Sequence, residues 1–388
     1  MLKKIFFLKN FQKEFSRNIH KKKISSHLKE ILNKKSQTIQ SLGENYQNSY
    51  KKKQLSKFKK SLNYRVIGMG GSTLGTQSIY DFLKHKIKKN FVFVNNLQSK
   101  QNKRDKKNFI NLIVSKSGNT IETITNTNIL IKKNDKNIFI TENKKSYLYK
   151  LAEKLKAEIV HHNNFIGGRY SVLSEVGMLP AELMGLNISN FKQLNSLIKN
   201  KFFFNTLIKN VEATFFLINR KKFNSVIINY DEKSESLFRW YQQLVAESLG
   251  KKKKGLFPII SSMPKDNHSV MQLYLDGPKN NFFTFFYVHD DKFQKINNNS
   301  ILSSHTFLKN KKISNIIYAQ KKASENVFYK KKIPFRSFEI IRRDEKTLGE
   351  LFCFFILETI LLGKLLSVNP FDQPAVELIK KETKKILI

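Results

Sequence analysis

Two turns rich in glycine and hydroxyl side chains are the first segments of this sequence with a recognisable chemistry. The first, "GMGGSTLG", follows the strand-like run Tyr64–Gly68 and presents Gly71 and Ser72 before a predicted helix. Its spacing fits neither the Gly-x-Gly-x-x-Gly of dinucleotide folds nor the Gly-Lys-Ser/Thr of a Walker loop. Free backbone N–H groups at a helix start favour a phosphate. The alternative is a plain strand–helix turn in which Ser72 or Thr73 caps the helix.

The second turn, "VSKSGNTIET", repeats this chemistry at the end of another predicted strand. Ser115, Ser117 and Thr120 supply hydroxyls, and Lys116 supplies one ammonium group, just before a helix. Such a set suits a phosphate monoester, whereas its alternative is helix capping beside a solvated lysine. Because the carboxyl ends of parallel strands meet at one edge of a sheet, two such turns together favour a phosphate site.

Five further side chains have types suited to acid–base or electrostatic catalysis. Arg169 follows paired glycines in "FIGGRYS", and Glu247 ends the apolar helical stretch "YQQLVAESLG". His268 lies in "NHSVMQ", and Gln373 and Lys380 lie in "FDQPAVELIKK". A carboxylate, an imidazole and cations are the groups that move protons and stabilise oxyanions. Taken singly, each residue also fits an ordinary structural role.

The net charge is the unusual feature of the composition. The chain has 71 Lys+Arg against 30 Asp+Glu, a formal charge of +41. Lysines are spread along the whole chain, including the runs 21–23, 51–53, 251–254 and 330–332, rather than gathered on one arm. No zinc-finger spacing or RNA-binding aromatic signature accompanies them. We therefore expect no specific nucleic-acid partner, and we interpret the charge as compositional bias with solvated lysine faces; salt-sensitive polyanion binding is the alternative.

Cysteine content and the apolar segments predict the compartment. Cys353 is the only cysteine, so the chain has no internal disulfide, and we expect a small buried hydrophobe. Glu358 and Lys364 interrupt the apolar run around it, which favours a core helix over a membrane span. The basic, amphipathic N-terminus has too short an apolar run for a secretory signal, and we expect a first helix, with a transit peptide as the alternative. The sequence therefore predicts a cytoplasmic protein without a membrane partner.

Alternating strands and helices would position the reactive groups. Strands are predicted at "YRVIG", "NFVFV", "NFINLIVS" and "KNIFIT", and again at "NSVIINY", "LFPIISSM", "NFFTFFYV" and "ISNIIYA". "SESLFRWYQQLVAESLG" is a predicted helix in the second series. This rhythm indicates two tandem doubly wound parallel-sheet α/β domains. The predicted divisions are a helical N-terminal extension at 1–62, α/β domains at 63–200 and 201–366, and a helical tail at 367–388.

Six motifs in this order resemble the glucose-6-phosphate isomerase family: "GMGGSTLG", "SKSGNTIET", "GGRYS", "YQQLVAESLGK", "HSVMQ" and "FDQPAVELIK". They extend from Gly68 to Lys380, which is nearly the whole chain beyond the N-terminal extension. The resemblance implies two sugar-isomerase (SIS) domains, a homodimer, and no metal or other cofactor. It also implies reversible conversion of glucose 6-phosphate to fructose 6-phosphate through a cis-enediolate.

The resemblance also implies a role for each candidate residue. Glu247 would be the proton-transfer base, and Arg169 would stabilise the enediolate oxygens. His268, donated by the partner subunit, and Lys380 would assist ring opening, with Gln373 near the substrate. The sugar phosphate would lie against Gly71, Ser72, Ser115, Lys116, Ser117 and Thr120.

Other phosphosugar proteins with this fold would keep the hydroxyl loops. A dual glucose/mannose-6-phosphate isomerase or an aminosugar-phosphate isomerase shares them, and so does a non-catalytic sugar-phosphate-binding regulator. A regulator needs no base, so the contexts "ESLGK" and "HSVMQ" favour an enzyme. Mannose 6-phosphate stays open as a second substrate.

Overall fold

Ten strands in two five-stranded sheets form the framework of the protein. The computed structural model describes residues 5–9, 11, 19–97, 108–132, 134–290 and 294–388, with backbone only at 5–9. The strands are β1 Ile5–Lys9, β2 Asn63–Gly68, β3 Asn90–Val94, β4 Ile110–Val114, β5 Lys136–Thr141, β6 Glu158–His161, β7 Asn224–Asn229, β8 Phe257–Ser262, β9 Asn281–Val288 and β10 Phe335–Ile340.

Helices connect and cover these strands throughout the described chain. Several are single turns, whereas the longest, near the C-terminus, has 21 residues. They are α1 Lys21–Lys34, α2 Gln37–Gln40, α3 Lys52–Leu55, α4 Leu74–Leu83, α5 Ile121–Leu130, α6 Tyr147–Lys154, α7 Glu175–Leu183, α8 Leu194–Ile198, α9 Lys201–Asn219, α10 Glu235–Leu249, α11 Met271–Asp276, α12 Ile313–Lys330, α13 Glu345–Leu365 and α14 Pro374–Leu387.

The first sheet is parallel throughout, in the order β3-β2-β4-β5-β6. Both of its faces are covered. Ile67 and Ile113 pack with Leu148 of α6, whereas Val66 and Leu112 point into the main core. Burial on both faces explains the consecutive apolar residues Val66–Ile67 in β2 and Leu112–Val114 in β4. The order places the topological switch point between β2 and β4, where doubly wound folds bind ligands.

The second sheet has the order β1-β10-β9-β7-β8, with β10, β9, β7 and β8 parallel. Its edge strand β1 pairs antiparallel with β10, in the register Ile5↔Ile340. The expected first helix is therefore wrong for residues 5–9. "IFFLK" has high strand propensity, and its backbone groups pair with the otherwise open edge of β10.

Three further elements differ from the sequence prediction. "ISNIIYA" was expected to be a strand but begins the 18-residue helix α12. The fourth parallel strand of the second sheet is instead β10, and β6 also has no counterpart in the prediction. A short apolar run fits a strand or a buried helix equally, so periodicity alone cannot separate them.

The two domains meet where helix α4 packs along helix α10. Ser236 on α10 donates a hydrogen bond to Asp81 on α4. Helix α13 lies in the core beneath them, with Cys353 fully buried as expected. Within the described ranges, no helix combines the length and apolar character that crossing a bilayer requires. The α4–α10 contact brings the first glycine turn beside the helix that carries Glu247.

Candidate active site

The two hydroxyl-rich turns flank the switch point of the first sheet. Gly68 and Val114 are partners at the ends of β2 and β4. A Cβ added to Gly68 would lie 2.7 Å from the Val114 carbonyl oxygen and 3.0 Å from Cβ of Ser72. Ser115 follows Val114 directly, so the two serine turns begin at the carboxyl ends of neighbouring strands. The predicted convergence of the turns is therefore present.

The hydroxyl groups of these turns do not cap the helices that follow. Thr73 is the N-cap residue of α4 and Thr120 is that of α5, and neither makes a side-chain capping bond. Ser115 Oγ shares a 3.0 Å hydrogen bond with Thr120 Oγ1, and Ser117 Oγ accepts from the Asn119 N–H at 3.3 Å. Ser72 Oγ makes no hydrogen bond within the described chain. The capping alternative raised by the sequence therefore does not account for these residues.

Lys116 is less free than a solvated lysine. Its Nζ donates to the Asn164 carbonyl at 2.7 Å and lies 3.6 Å from Glu142 Oε1. The next glycine, Gly118, has φ +65°, and a Cβ there would lie 1.9 Å from Ser146 Oγ. These contacts fix the path of the second turn from two sides.

Gly71 brings the first turn against the "GGRYS" turn. A Cβ at Gly71 would lie 2.2 Å from the Gly168 carbonyl carbon and 2.5 Å from the Arg169 nitrogen. Such distances are impossible for real side chains, so only glycine allows this approach. The contact joins the predicted phosphate turns to the segment that carries Arg169.

Arg169 lies at the centre of the site, with 2% of its surface exposed. All five of its N–H donors have protein acceptors. Nε donates to Ser248 Oγ at 2.8 Å, and Nη1 donates to Glu247 Oε1 at 2.9 Å and to Gln373 Oε1 at 2.8 Å. Nη2 donates to the carbonyl oxygens of Pro370 at 2.7 Å and Asp372 at 3.1 Å. The guanidinium therefore joins helix α10 to the segment before α14.

Glu247 is held through both carboxylate oxygens. Oε1 accepts from Arg169, and Oε2 accepts from Gln243 Nε2 at 2.9 Å. Its side chain is 23% exposed, so the carboxylate is fixed yet reachable. Gln243 also touches the first turn, since its Nε2 lies 2.8 Å from where a Cβ of Gly70 would be. A cavity of about 960 Å³ between α4 and α10 adjoins Gln243 and Ala246.

A buried phenol completes the support around Arg169. Tyr170 Oη donates to the Pro370 carbonyl at 2.9 Å and lies 2.8 Å from Ser248 Oγ. Burial raises the pKa of Tyr170, so the hydroxyl stays protonated and serves as a donor. The Trp240 indole N–H donates to the Arg169 carbonyl at 3.1 Å. These bonds fix the backbone and the plane of the guanidinium.

The structure brings together some predicted site residues and not others. Gln373 reaches Arg169, as described above. Lys380 lies on helix α14, of which no side chain is buried, and its Nζ pairs with Glu377 at 2.6 Å. His268 is exposed in the 3₁₀ turn Lys265–His268. Within the described chain, no hydrogen bond or ion pair joins His268 or Lys380 to Glu247.

Sequence reasoning missed Gln243, Ser248 and Tyr170. Gln243 precedes Glu247 by four residues on one helix, so the two side chains share a face, and that spacing was the available signal. Tyr170 and Ser248 adjoin predicted residues, but neither type marks a site by itself. Over the described ranges, no group of three or more histidine, cysteine, aspartate or glutamate side chains is placed to hold a metal ion.

Two doubly wound domains, with hydroxyl turns at one switch point, define a sugar-isomerase (SIS) α/β protein, as the sequence predicted. The fold is similar to a glucose-6-phosphate isomerase structure from Chlamydia trachomatis, with a TM-score of 0.70, 18% identity, and coverage of 90% of this chain and 77% of that one. A hypothetical protein from Thermus thermophilus gives a TM-score of 0.84 at 21% identity, over 97% and 99% of the two chains.

The family follows from the sequence comparisons. The phosphoglucose isomerase family model matches residues 16–388, so the chain belongs to that family. A glucose-6-phosphate isomerase from Methanocaldococcus jannaschii is 33% identical over 353 residues, which cover 84% of this chain and 85% of that relative. The predicted resemblance is confirmed.

Proposed function

We propose that the protein interconverts glucose 6-phosphate and fructose 6-phosphate through a cis-enediolate, with Glu247 moving a proton between C2 and C1. The observation that carries this proposal is the placement of one carboxylate, held by Arg169 and Gln243 at 2.9 Å each, beside the first of the two hydroxyl turns. Family membership and the enzyme from M. jannaschii support the same reaction. Aldose–ketose isomerisation by proton transfer needs a base and an electropositive site, but no hydride acceptor.

In this proposal the phosphate end of the sugar provides most of the binding energy. It occupies the turns of the first sheet, with hydroxyl donors from Ser72, Ser115, Ser117 and Thr120 and charge from Lys116. Fixing the phosphate orients the reacting carbons, so that binding energy from a remote group lowers the barrier. The close contact of Gly71 with Arg169 supports this role for the phosphate, because it links the phosphate turn directly to the segment beside Glu247.

Arg169 has two tasks in the proposed reaction. It holds one oxygen of Glu247, so that the other faces Gln243 and the open side of the site. Its charge also lies where an enediolate would form beside that carboxylate. A fixed cation in a low-dielectric site stabilises negative charge that develops beside it.

Ring opening is assigned to His268 and Lys380, with His268 supplied by the partner subunit of a homodimer. Exposure of His268, and its lack of a polar contact with Glu247 in the described chain, are what a donated residue requires. The cavity beside Gln243 and Ala246 leaves room for a partner turn. We place the enzyme in the cytoplasm, where its single free cysteine would stay reduced.

Replacing Glu247 by glutamine tests the proposed base. Glu247→Gln keeps the shape and removes the proton acceptor, so turnover of fructose 6-phosphate falls at least about a hundredfold. Binding of the sugar phosphate is retained. Glu153→Gln is the control for loss of a carboxylate, since Glu153 is exposed on helix α6. An active Glu247→Gln enzyme would contradict the assignment, and binding without turnover by the wild type would indicate a regulator.

Mixing two inactive variants tests the shared site. Chains carrying Glu247→Gln and chains carrying His268→Ala recover activity when they form heterodimers, because one intact site is then assembled. Heterodimers without recovery would refute donation of His268. Parallel assays with mannose 6-phosphate decide whether the enzyme has the dual specificity left open by the sequence.

A further inference from the structure

The lysine run 251–254 follows Gly250 at the end of the helix that carries Glu247, and its first member, Lys251, is not a solvated lysine. Lys251 reaches the segment before α14 with its side-chain ammonium group. Its Nζ donates to the Asp372 carbonyl at 2.6 Å, to Asp372 Oδ1 at 2.9 Å and to the Asn369 carbonyl. Only 11% of this side chain is exposed. Lys251 is therefore built into the structure as a cross-link between two distant parts of the chain.

The other lysines of this run differ from Lys251. Lys252 and Lys253 form the tip of the turn, at φ +52° and +57°, and their side chains make no hydrogen bond within the described chain. Lys254 donates to the Leu366 carbonyl at 2.9 Å, at the end of α13. Thus the first and last lysines hold the C-terminal segment, whereas the middle two supply matched controls.

Lys251 and Arg169 donate to the same carbonyl. The Asp372 carbonyl accepts from Lys251 at 2.6 Å and from Arg169 Nη2 at 3.1 Å. The next residue, Gln373, is the one whose side chain accepts from Arg169 Nη1. The hydrogen bond from Lys251 also lowers the pKa of Asp372, which keeps its carboxylate charged.

The terminal helix gives this segment no other visible support. No side chain of α14 is buried, and Leu378 and Ile379 are 68% and 70% exposed. Within the described chain, the turn at 369–373 is held by Arg169 and Lys251, and by Tyr170, whose hydroxyl donates to the Pro370 carbonyl. A side chain that fixes this turn therefore also positions Gln373 Oε1. That oxygen is an acceptor of the Arg169 guanidinium, which also holds Glu247.

We propose that Lys251 is a positioning residue that holds residues 369–373 in place, so that Gln373 and the Asp372 carbonyl meet Arg169. It touches no reacting atom and acts on the site through Gln373. The activity readout of this inference rests on the proposed function, whereas the anchoring readout does not.

Three variants separate anchoring from general charge loss. Lys251→Met removes the ammonium group and keeps the apolar stem; Lys251→Arg keeps donors; Lys253→Met removes a neighbouring charge that makes no bond. In Lys251→Met, hydrogen exchange in residues 369–387 rises about tenfold and kcat/KM falls about tenfold, the size of one charge-assisted bond. Lys251→Arg restores much of both, and Lys253→Met matches the wild type. Unchanged exchange in Lys251→Met would overturn the proposal.

A double-mutant cycle with Gln373→Ala tests the route to the site. If Lys251 acts through Gln373, adding Lys251→Met to Gln373→Ala costs much less affinity for fructose 6-phosphate than it costs alone. Fully additive losses would refute that route. Because exchange and binding are measured without turnover, an inactive wild type would overturn the proposed function and leave this test decisive.

Discussion

Gly71 and Gly168 touch through their backbones, so closely that a Cβ on Gly71 would lie 2.2 Å from the Gly168 carbonyl carbon. This contact joins the end of a sheet strand to the turn that carries Arg169. It brings the first of the predicted phosphate turns against the backbone of Arg169. The site is therefore assembled by backbone packing as well as by side-chain bonds.

Gly71→Ala is expected to separate these two turns. The added methyl group forces the backbones apart, at a cost of about 1–3 kcal/mol in the free energy of unfolding. The KM for fructose 6-phosphate rises at the same time, because the phosphate turns shift relative to Glu247. Urea unfolding and steady-state kinetics measure the two effects.

Gly167→Ala is the control for that substitution. Gly167 has φ −67°, and a Cβ there would meet only Tyr170 Cδ2, at 3.6 Å. This variant should match the wild type in stability and KM. Equal behaviour of the two alanine variants would show that the Gly71 contact does not matter.

Ser117→Ala is expected to weaken substrate binding without weakening the fold. Ser117 is exposed and supports only the Asn119 N–H, at 3.3 Å. A hydrogen bond to a phosphate contributes about 1.5–3 kcal/mol, so KM rises about tenfold or more. kcat and the unfolding midpoint should change little.

Ser115→Ala provides the contrast, since Ser115 is buried and bonded to Thr120. That variant should lose stability as well as affinity. If Ser117→Ala leaves KM unchanged, Ser117 is not a phosphate ligand.

The buried Lys192 predicts a dependence of stability on pH. Its Nζ donates to the carbonyls of Ser41 and Leu173, and burial lowers its pKa to about 7 from 10.5. Between these values the unfolded chain holds a proton that the folded chain has lost, so stability rises with pH. The slope of the unfolding free energy is at most about 1.4 kcal/mol per pH unit. The stability gained at high pH is lost as pH falls to 7.

Unfolding by urea between pH 7.5 and 9.5 measures this slope. Lys192→Met removes the titrating group, so its stability should rise less steeply with pH than that of the wild type. Lys199→Met, at an exposed position seven residues on, should keep the wild-type slope. Equal slopes for the wild type and Lys192→Met would contradict the assignment.

The sequence predicted most of the framework because the central strands carry runs of apolar residues, such as Leu112–Val114 in β4. Strand β10 was missed for the opposite reason: "FRSFEI" carries Arg336 and Glu339, which look exposed in a sequence. Both are buried, since Arg336 pairs with Glu358 and Glu339 with Lys321. Such partners come from distant segments, so no local pattern reveals that the charges are inside.

Prediction of the site had a similar limit. The turns with Ser72 and Ser115 were found because glycine and hydroxyl residues mark the ends of strands. The support around Arg169 was not found, since Ser248 and the carbonyls of Pro370 and Asp372 become acceptors only through tertiary packing. The role of the lysine run after Glu247 was hidden for the same reason in a chain so rich in lysine.

The complete set of acceptors around Arg169 has a consequence for recognition. The protein solvates this cation internally, so a sugar oxygen can bond to it only by exchanging with an oxygen already there. Exchange leaves the number of hydrogen bonds on the guanidinium unchanged and adds little ground-state affinity. The exchange becomes favourable when the incoming oxygen carries more negative charge than the one it replaces. Arg169 would then discriminate between charge states of the sugar more than between the sugars themselves.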